Sequence, residues 1–182
     1  AIKQTKIYNT NQEETINNIL DKFYTSRISI RVLISHAIEL QRNSSIINSN
    51  CRPYYVFQQV INNLNYITNC LYGITLDYQY FGNVEKKITY LESHLYYILF
   101  EILKNAATAS IIKDVEDPIK VFVSYGKEDI IIKISDKAGG FDRCKIKKMF
   151  SYCYSDFKSD QVYDFNQHNT LFGYGYGMPL SR

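Results

Sequence analysis

The chain is expected to fold as α+β, with helices first and a small mixed or antiparallel sheet after them, and three observations lead there. Apolar residues recur at helical spacing from Thr15 to Gln41 and again from Pro53 to about Leu71. Beyond Gly73 the spacing changes to every second residue, the period of strands. Five of the eight glycines then fall in two short runs, Gly139-Gly140 and Gly173-x-Gly175-x-Gly177. Residues 1–72 are thus expected to form a portion of a helical bundle, and residues 73–182 an α/β portion that carries the glycine runs.

The first helix, Thr15 to Gln41, has Ile16, Ile19, Leu20, Phe23, Ile30, Leu33, Ile34, Ala37, Ile38 and Leu40 at helical intervals, with no Gly or Pro among them. Arg42 to Arg52 is rich in Ser and Asn and reads as a loop. Pro53 suits the first turn of a helix, where its missing N–H is not needed, and Gly73 suits its end. Ile74, Leu76, Tyr78 and Tyr80 alternate with polar residues, and Val84 to Tyr90 is expected to return across Gly82-Asn83 as the second arm of a hairpin. Ser93 is placed to cap a helix running to about Ile111, with Leu95, Ile98, Leu99, Ile102, Leu103 and Ala106 as its buried stripe. Pro118 to Tyr125 and Ile130 to Ser135 read as a second hairpin, and Arg143 to Phe150 as a short helix. Ser151 to Leu171 has no periodicity, and a loop that long within a domain is usually functional or disordered.

Composition narrows the function. Of the 182 residues, 46% are hydrophobic and 21% charged, the profile of a globular protein with a real core. A formal net charge of +3 with dispersed Lys and Arg points away from nucleic acid. The cluster Lys145, Lys147 and Lys148 reads as a solvated helix face. Cys51, Cys70, Cys144 and Cys153 lack C-x-x-C spacing, so neither a zinc site nor a disulfide framework is suggested. No membrane span is expected, since no apolar run approaches the roughly 18 to 20 residues one requires. The polar opening AIKQTKIYNTNQEE resembles neither a signal peptide nor an Arg-rich transit peptide.

On the helix from Ser93, Asn105 lies about 40° from Glu101 and Tyr97 about 40° to the other side. Tyr97, Glu101, Asn105 and Thr108 therefore share a polar flank beside the apolar stripe. Taken alone, Glu101 and Lys104 read as exposed residues of an amphipathic helix. Asp136, at a strand end, can accept a hydrogen bond from an exocyclic amine such as that of adenine. The alternating glycines at 173, 175 and 177 can present backbone N–H groups to phosphate oxygens. Their spacing matches neither the P-loop nor the dinucleotide-binding fingerprint.

Glu101-x-x-x-Asn105, Asp136-x-x-x-Gly140 and Gly173-x-Gly175-x-Gly177 resemble the N, G1 and G2 boxes of the GHKL ATP-binding superfamily. Fuller stretches, SRISIR (Ser26 to Arg31), SHLYYILFEILKNA (Ser93 to Ala106), MFSYCYS (Met149 to Ser155) and GYGYGMPLSR (Gly173 to Arg182), resemble the mitochondrial pyruvate dehydrogenase kinases. The branched-chain 2-oxoacid dehydrogenase kinases are a near second, and the likeness runs from about Leu20 to Arg182. The resemblance implies a protein serine kinase with a GHKL-type α/β sandwich, here expected to be incomplete at its C-terminal end. Glu101 would be the general base, and Asn105 would ligate Mg²⁺. Asp136 would hold the adenine of ATP. Further nucleotide contacts would come from Thr108, Gly140, Ser155, Gly173, Tyr174, Gly175, Tyr176, Gly177 and Met178, with the loop 151–171 as an ATP lid. Implied partners are the E1 subunit of a 2-oxoacid dehydrogenase, a lipoyl domain of E2 and a second copy of the chain, in the mitochondrial matrix.

Three positions depart from the family pattern. Ala138 replaces a glycine, Tyr97 stands where pyruvate dehydrogenase kinases have a histidine, and Thr108 replaces an arginine. Two alternatives remain at this point. Ser35-His36 on a long helix ahead of an ATP domain is the order of a sensor histidine kinase, and Ala138 with Tyr97 would suit a nucleotide-binding module without catalysis.

Overall fold

The computed structural model describes residues 10–140, 142–152, 154 and 175–182. The chain divides into two compact units, residues 1–46 and 47–182. Residue 72, where the sequence places a boundary, lies within the second unit.

Among the described residues the first unit holds one helix, α1 (Thr10–Gln41), which begins five residues before the expected start. Its C-terminus is closed by Asn43 at φ 54°, while the Ser44 N–H donates to the Glu39 carbonyl at 2.9 Å. Asn tolerates the left-handed conformation such a cap requires. Ile19, Phe23, Leu33 and Ile34 stay exposed along the helix.

The second unit opens with β1 (Asn48–Cys51) inside the stretch expected to be a loop. It pairs antiparallel with β3 (Ile88–Tyr90), with an irregular register between Asn48 and Cys51. Its sequence, NSNC, gave no strand signal because polar side chains help to hold it. The Asn48 amide donates to Glu92 Oε2 at 3.0 Å, and the Lys87 ammonium donates to Asn50 Oδ1 at 3.2 Å. Helix α2 (Pro53–Tyr72) begins at Pro53 and ends at Gly73, whose φ of 67° is the left-handed turn a glycine allows.

The first expected hairpin does not form. Strand β2 (Tyr78–Phe81) pairs in parallel with β4 (Ile119–Tyr125), while β3 leaves for β1. Parallel neighbours need a long crossover, and helix α3 (Glu92–Ile112) lies between them in the chain. Gly82, read as a turn glycine, instead sits where a Cβ would come within 2.9 Å of the Val123 carbonyl oxygen on β4. The second hairpin is as expected: β4 pairs antiparallel with β5 (Ile130–Ser135), and the Gly126 N–H closes the turn on the Asp129 carbonyl at 2.9 Å. The three-stranded sheet is therefore mixed, in the order β2-β4-β5.

Helix α3 starts at Glu92 with Leu91 as its cap and no side-chain cap bond, so Ser93 lies within the first turn rather than before it. Val56, Phe57, Val60 and Leu64 of α2 join Leu95, Leu99, Leu103, Ala106 and Ala107 of α3 in one buried cluster with Ile119, Val121 and Val123 of β4. That cluster fixes the azimuth of α3 and thereby the direction of its polar flank. The helix is by length and composition apolar enough to cross a membrane, which the run-length reading did not anticipate, and much of it is buried in this core. Burial on one side and apolar composition are what a core helix shares with a span. On the opposite side of the sheet Phe81 and Phe122 stack with centroids 4.7 Å apart, both partly exposed. After β5 come a 3-10 turn (Arg143–Lys145), α4 (Ile146–Met149) and, at the other side of the undescribed residues, α5 (Gly177–Ser181), which packs on α3.

Candidate active site

The site is built on α3. Glu101 and Lys104, three residues apart and so on one face of the helix, form an ion pair with Nζ 2.7 Å from Oε2. Their side chains are 13% and 9% exposed, which takes both out of bulk water. The Lys104 ammonium also lies 5.6 Å from the centre of the Phe100 ring. Lys104 is thus a buried residue rather than the exposed one expected, and it escaped the sequence reading. A signal was available: opposite charges at i and i+3 in an otherwise apolar helix.

Helix α5 brings the last glycine of the second run to the same place. A Cβ on Gly177 would collide with Glu101 Oε2, so the backbone of α5 lies directly against the carboxylate. Two residues that the sequence separates by 76 positions therefore meet. Tyr97, one turn before Glu101, is partly exposed, and its hydroxyl is pushed up by burial first and by the Glu101 charge second.

Asn105 is exposed on α3, one turn beyond Glu101. Thr108 is 5% exposed, and its hydroxyl donates to the Lys104 carbonyl at 2.7 Å. Of the expected nucleotide contacts it is the one whose polar atom turns to its own helix. Asp136 is exposed just past β5, a strand that touches α3, and its Oδ1 accepts the Ala138 N–H at 2.9 Å. That turn engages Oδ1. Gly139 and Gly140 follow at φ 92° and 68°, both exposed, with open space where a Cβ would stand. Ala138 itself is not among the residues with positive φ, so the alanine in place of the family glycine is accommodated without strain. Gly175 lies at φ 80°, and Tyr176 packs at 6.0 Å from the Tyr152 ring. Met178 is half-buried in α5. The expected contacts Ser155, Gly173 and Tyr174, and most of the lid 151–171, lie outside the described residues.

Among the described residues no group of three or more His, Cys, Asp or Glu side chains gathers as a metal site would. The donor set suits a divalent ion held between a carboxamide and phosphate oxygens, as Mg²⁺ is when bound with few protein ligands. Asn105 offers such an oxygen from an exposed position. Gly139 and Gly140 have open space where a Cβ would stand, next to the exposed Asp136.

Comparison with known proteins follows the same line. A family model described as mitochondrial branched-chain alpha-ketoacid dehydrogenase kinase matches residues 1–61. The chain is 35% identical to a mitochondrial pyruvate dehydrogenase (acetyl-transferring) kinase of Schizosaccharomyces pombe, over 95% of the chain and 45% of that protein. It is 34% identical to the corresponding kinase of Drosophila melanogaster, over 93% of the chain and 46% of that protein. Identity to the human mitochondrial kinase isozyme 4 is also 34%, over 95% of the chain and 46% of that protein. The chain thus spans about half the length of the curated relatives it matches. The resemblance read from the motifs is borne out. The histidine-kinase and non-catalytic alternatives are not favoured by these relatives, and His36 has its Nδ1 buried without a hydrogen-bond partner among the described residues.

Proposed function

We propose that this chain, a relative of the mitochondrial 2-oxoacid dehydrogenase kinases, carries the catalytic centre of an ATP-dependent protein serine kinase that acts on the E1 component of such a complex in the mitochondrial matrix. The reading is carried by one observation: the Glu101 carboxylate and Gly177 meet at the contact of α3 with α5, in a chain alike to those kinases over nearly all its length. The ATP-binding part is taken to be a GHKL-type sandwich spanning residues 73–182, with α2 packed on it.

In this reading Glu101 accepts the proton of the substrate serine hydroxyl as its oxygen attacks the γ-phosphorus of ATP, the bond to the β,γ-bridging oxygen breaks and ADP leaves. Phosphoryl transfer asks for positioning, charge neutralisation and a base near the nucleophile, and no covalent intermediate with the protein is needed. Asp136 Oδ2 accepts the adenine amino group, while the turn at Ala138 stiffens the carboxylate that does so. Gly139 and Gly140 leave room for the ring, and Asn105 would hold the metal through its carboxamide oxygen. Bound Mg²⁺ supplies neutralisation of phosphate charge. The backbone at Gly175 and Gly177, with Gly173 before it, lines the phosphates. A lipoyl domain of E2 and a second copy of the chain complete the proposed partners.

The test is phosphate incorporation from Mg-ATP into purified E1, comparing the intact protein with Glu101→Gln. Transfer by the wild type and its loss in the variant, with nucleotide binding kept, is the expected result. Equal incorporation by both removes Glu101 from the mechanism. Offering pyruvate and branched-chain E1 separately decides the target, since Tyr97 departs from the histidine of pyruvate dehydrogenase kinases while the curated relatives reported above are named as kinases of pyruvate dehydrogenase.

A further inference from the structure

We propose that Lys104 is a positioning residue for phosphoryl transfer, clamping the Glu101 carboxylate against the start of α5 so that one carboxylate oxygen is fixed and the other is left to take the substrate proton. The proposal rests on the reading of Glu101 as the base.

Three features of the geometry carry it. The ammonium lies 2.7 Å from Oε2, and the same Oε2 is the atom that a Cβ at Gly177 would strike. One oxygen is thus pinned from two sides. Oε1 has no partner among the described residues, which leaves it as the proton acceptor. The pair is also expensive to keep in place. A lysine is seldom buried unless paired, and here the residue is 7% exposed, with the Phe100 ring as its other neighbour. An apolar residue at 104 would suit the surroundings better if packing were all that was required.

Among the described residues, Lys104 is the cation that forms an ion pair with Glu101. Helix α5 carries no charged side chain, and neither does α2, the other helix packed on α3. The lysine of β5, Lys133, lies on the exposed face of that strand. On α3 itself Tyr97 is the remaining titratable neighbour, and it stays neutral because burial and the carboxylate both oppose its ionisation. Removal of the Lys104 charge therefore takes away the cation paired with the base among the described residues.

The experiment uses the intact protein, purified E1 and Mg-ATP, with Lys104→Met, Lys104→Gln and Lys104→Arg measured for kcat and KM, and with ATP affinity measured by equilibrium titration. Lys104→Met is expected to lower kcat by about tenfold or more while ATP affinity stays within about twofold. Lys104→Arg keeps the charge and recovers most of kcat. Lys104→Gln keeps a donor without the charge and lowers kcat as Met does, which preserves the test should Lys104→Met fail to fold. In the Glu101→Gln background Lys104→Gln has no further effect on the residual rate. Wild-type kcat in the neutral variants, or lost ATP affinity with kcat intact, overturns the proposal. Wild-type transfer by Glu101→Gln alone overturns instead the reading of the base, whatever Lys104 does.

Discussion

The backbone of Gly177 touches the Glu101 carboxylate so closely that no side chain fits between α5 and α3 at that point. The last glycine of the run therefore has a steric role that backbone flexibility does not explain, since its φ is not in the left-handed region. Gly177→Ala is expected to push the carboxylate off Lys104. Overpacking of this kind costs about 1–3 kcal/mol. The displaced base lowers phosphate transfer to E1 by about tenfold or more. Transfer assays beside thermal melts check both, and wild-type values in each remove the contact from the argument.

Gly139→Ala separates backbone strain from crowding. The site is open, yet φ is 92°, a conformation an alanine adopts poorly. A loss of about 1 kcal/mol is expected, with no clash to relieve. Nucleotide affinity, measured by titration, should fall with it, because the same turn leads out of Asp136. A variant as stable as the wild type means that the turn relaxes to another conformation.

Much of this fold was legible because local signals agreed with packing. Pro53 and Gly73 marked both ends of α2, and alternation with a polar turn marked β4 and β5. The missed elements are those fixed by distant partners. Nothing local in NSNC announces a strand, since its pairing depends on β3 and on Glu92 some forty residues on. The hairpin expected across Gly82 failed for a related reason: glycine marks both a turn and a close backbone approach, and here the approach to Val123 is what the fold requires. At the site, residue types and order put Glu101, Asn105 and Asp136 forward as candidates. The opposite charges three residues apart hinted at the Lys104 pair, yet they did not fix its burial, because a helical wheel gives a direction without saying what covers it, and α5 lies near residue 177.

The core should respond to truncation in proportion to burial. Leu103 is fully buried between α2 and the sheet, and Leu103→Ala is expected to destabilise the intact protein by about 2–5 kcal/mol. Ile131, on the outer face of β5, is 63% exposed, and Ile131→Ala should stay within about 0.5 kcal/mol of the wild type. Chemical denaturation of the two variants side by side checks the assignment of sheet faces. A cost at Ile131 matching that at Leu103 means that the outer face is covered in the intact protein.

Alkaline pH probes the tyrosines between α2 and the sheet. Burial raises the Tyr78 hydroxyl well above its ordinary value of 10.0. Tyr80 is raised likewise, by burial first and then by its hydrogen bond with the Tyr125 hydroxyl. Above pH 10 the unfolded chain releases protons that the folded chain keeps, so the folded state binds more protons and stability falls as pH rises. Below that value the contribution is complete and constant. Tyr78 can add up to about 1.4 kcal/mol per pH unit to the decline, and Tyr80, nearer to solvent, adds less. The Tyr78 hydroxyl has no hydrogen-bond partner among the described residues, so Tyr78→Phe removes its share of the slope without loss at neutral pH. A gain of up to about 1 kcal/mol there is the expected sign, because an unpaired buried hydroxyl opposes folding. Urea midpoints from pH 8 to 11 read both effects, and an equally steep alkaline decline in Tyr78→Phe and wild type excludes this tyrosine as its source.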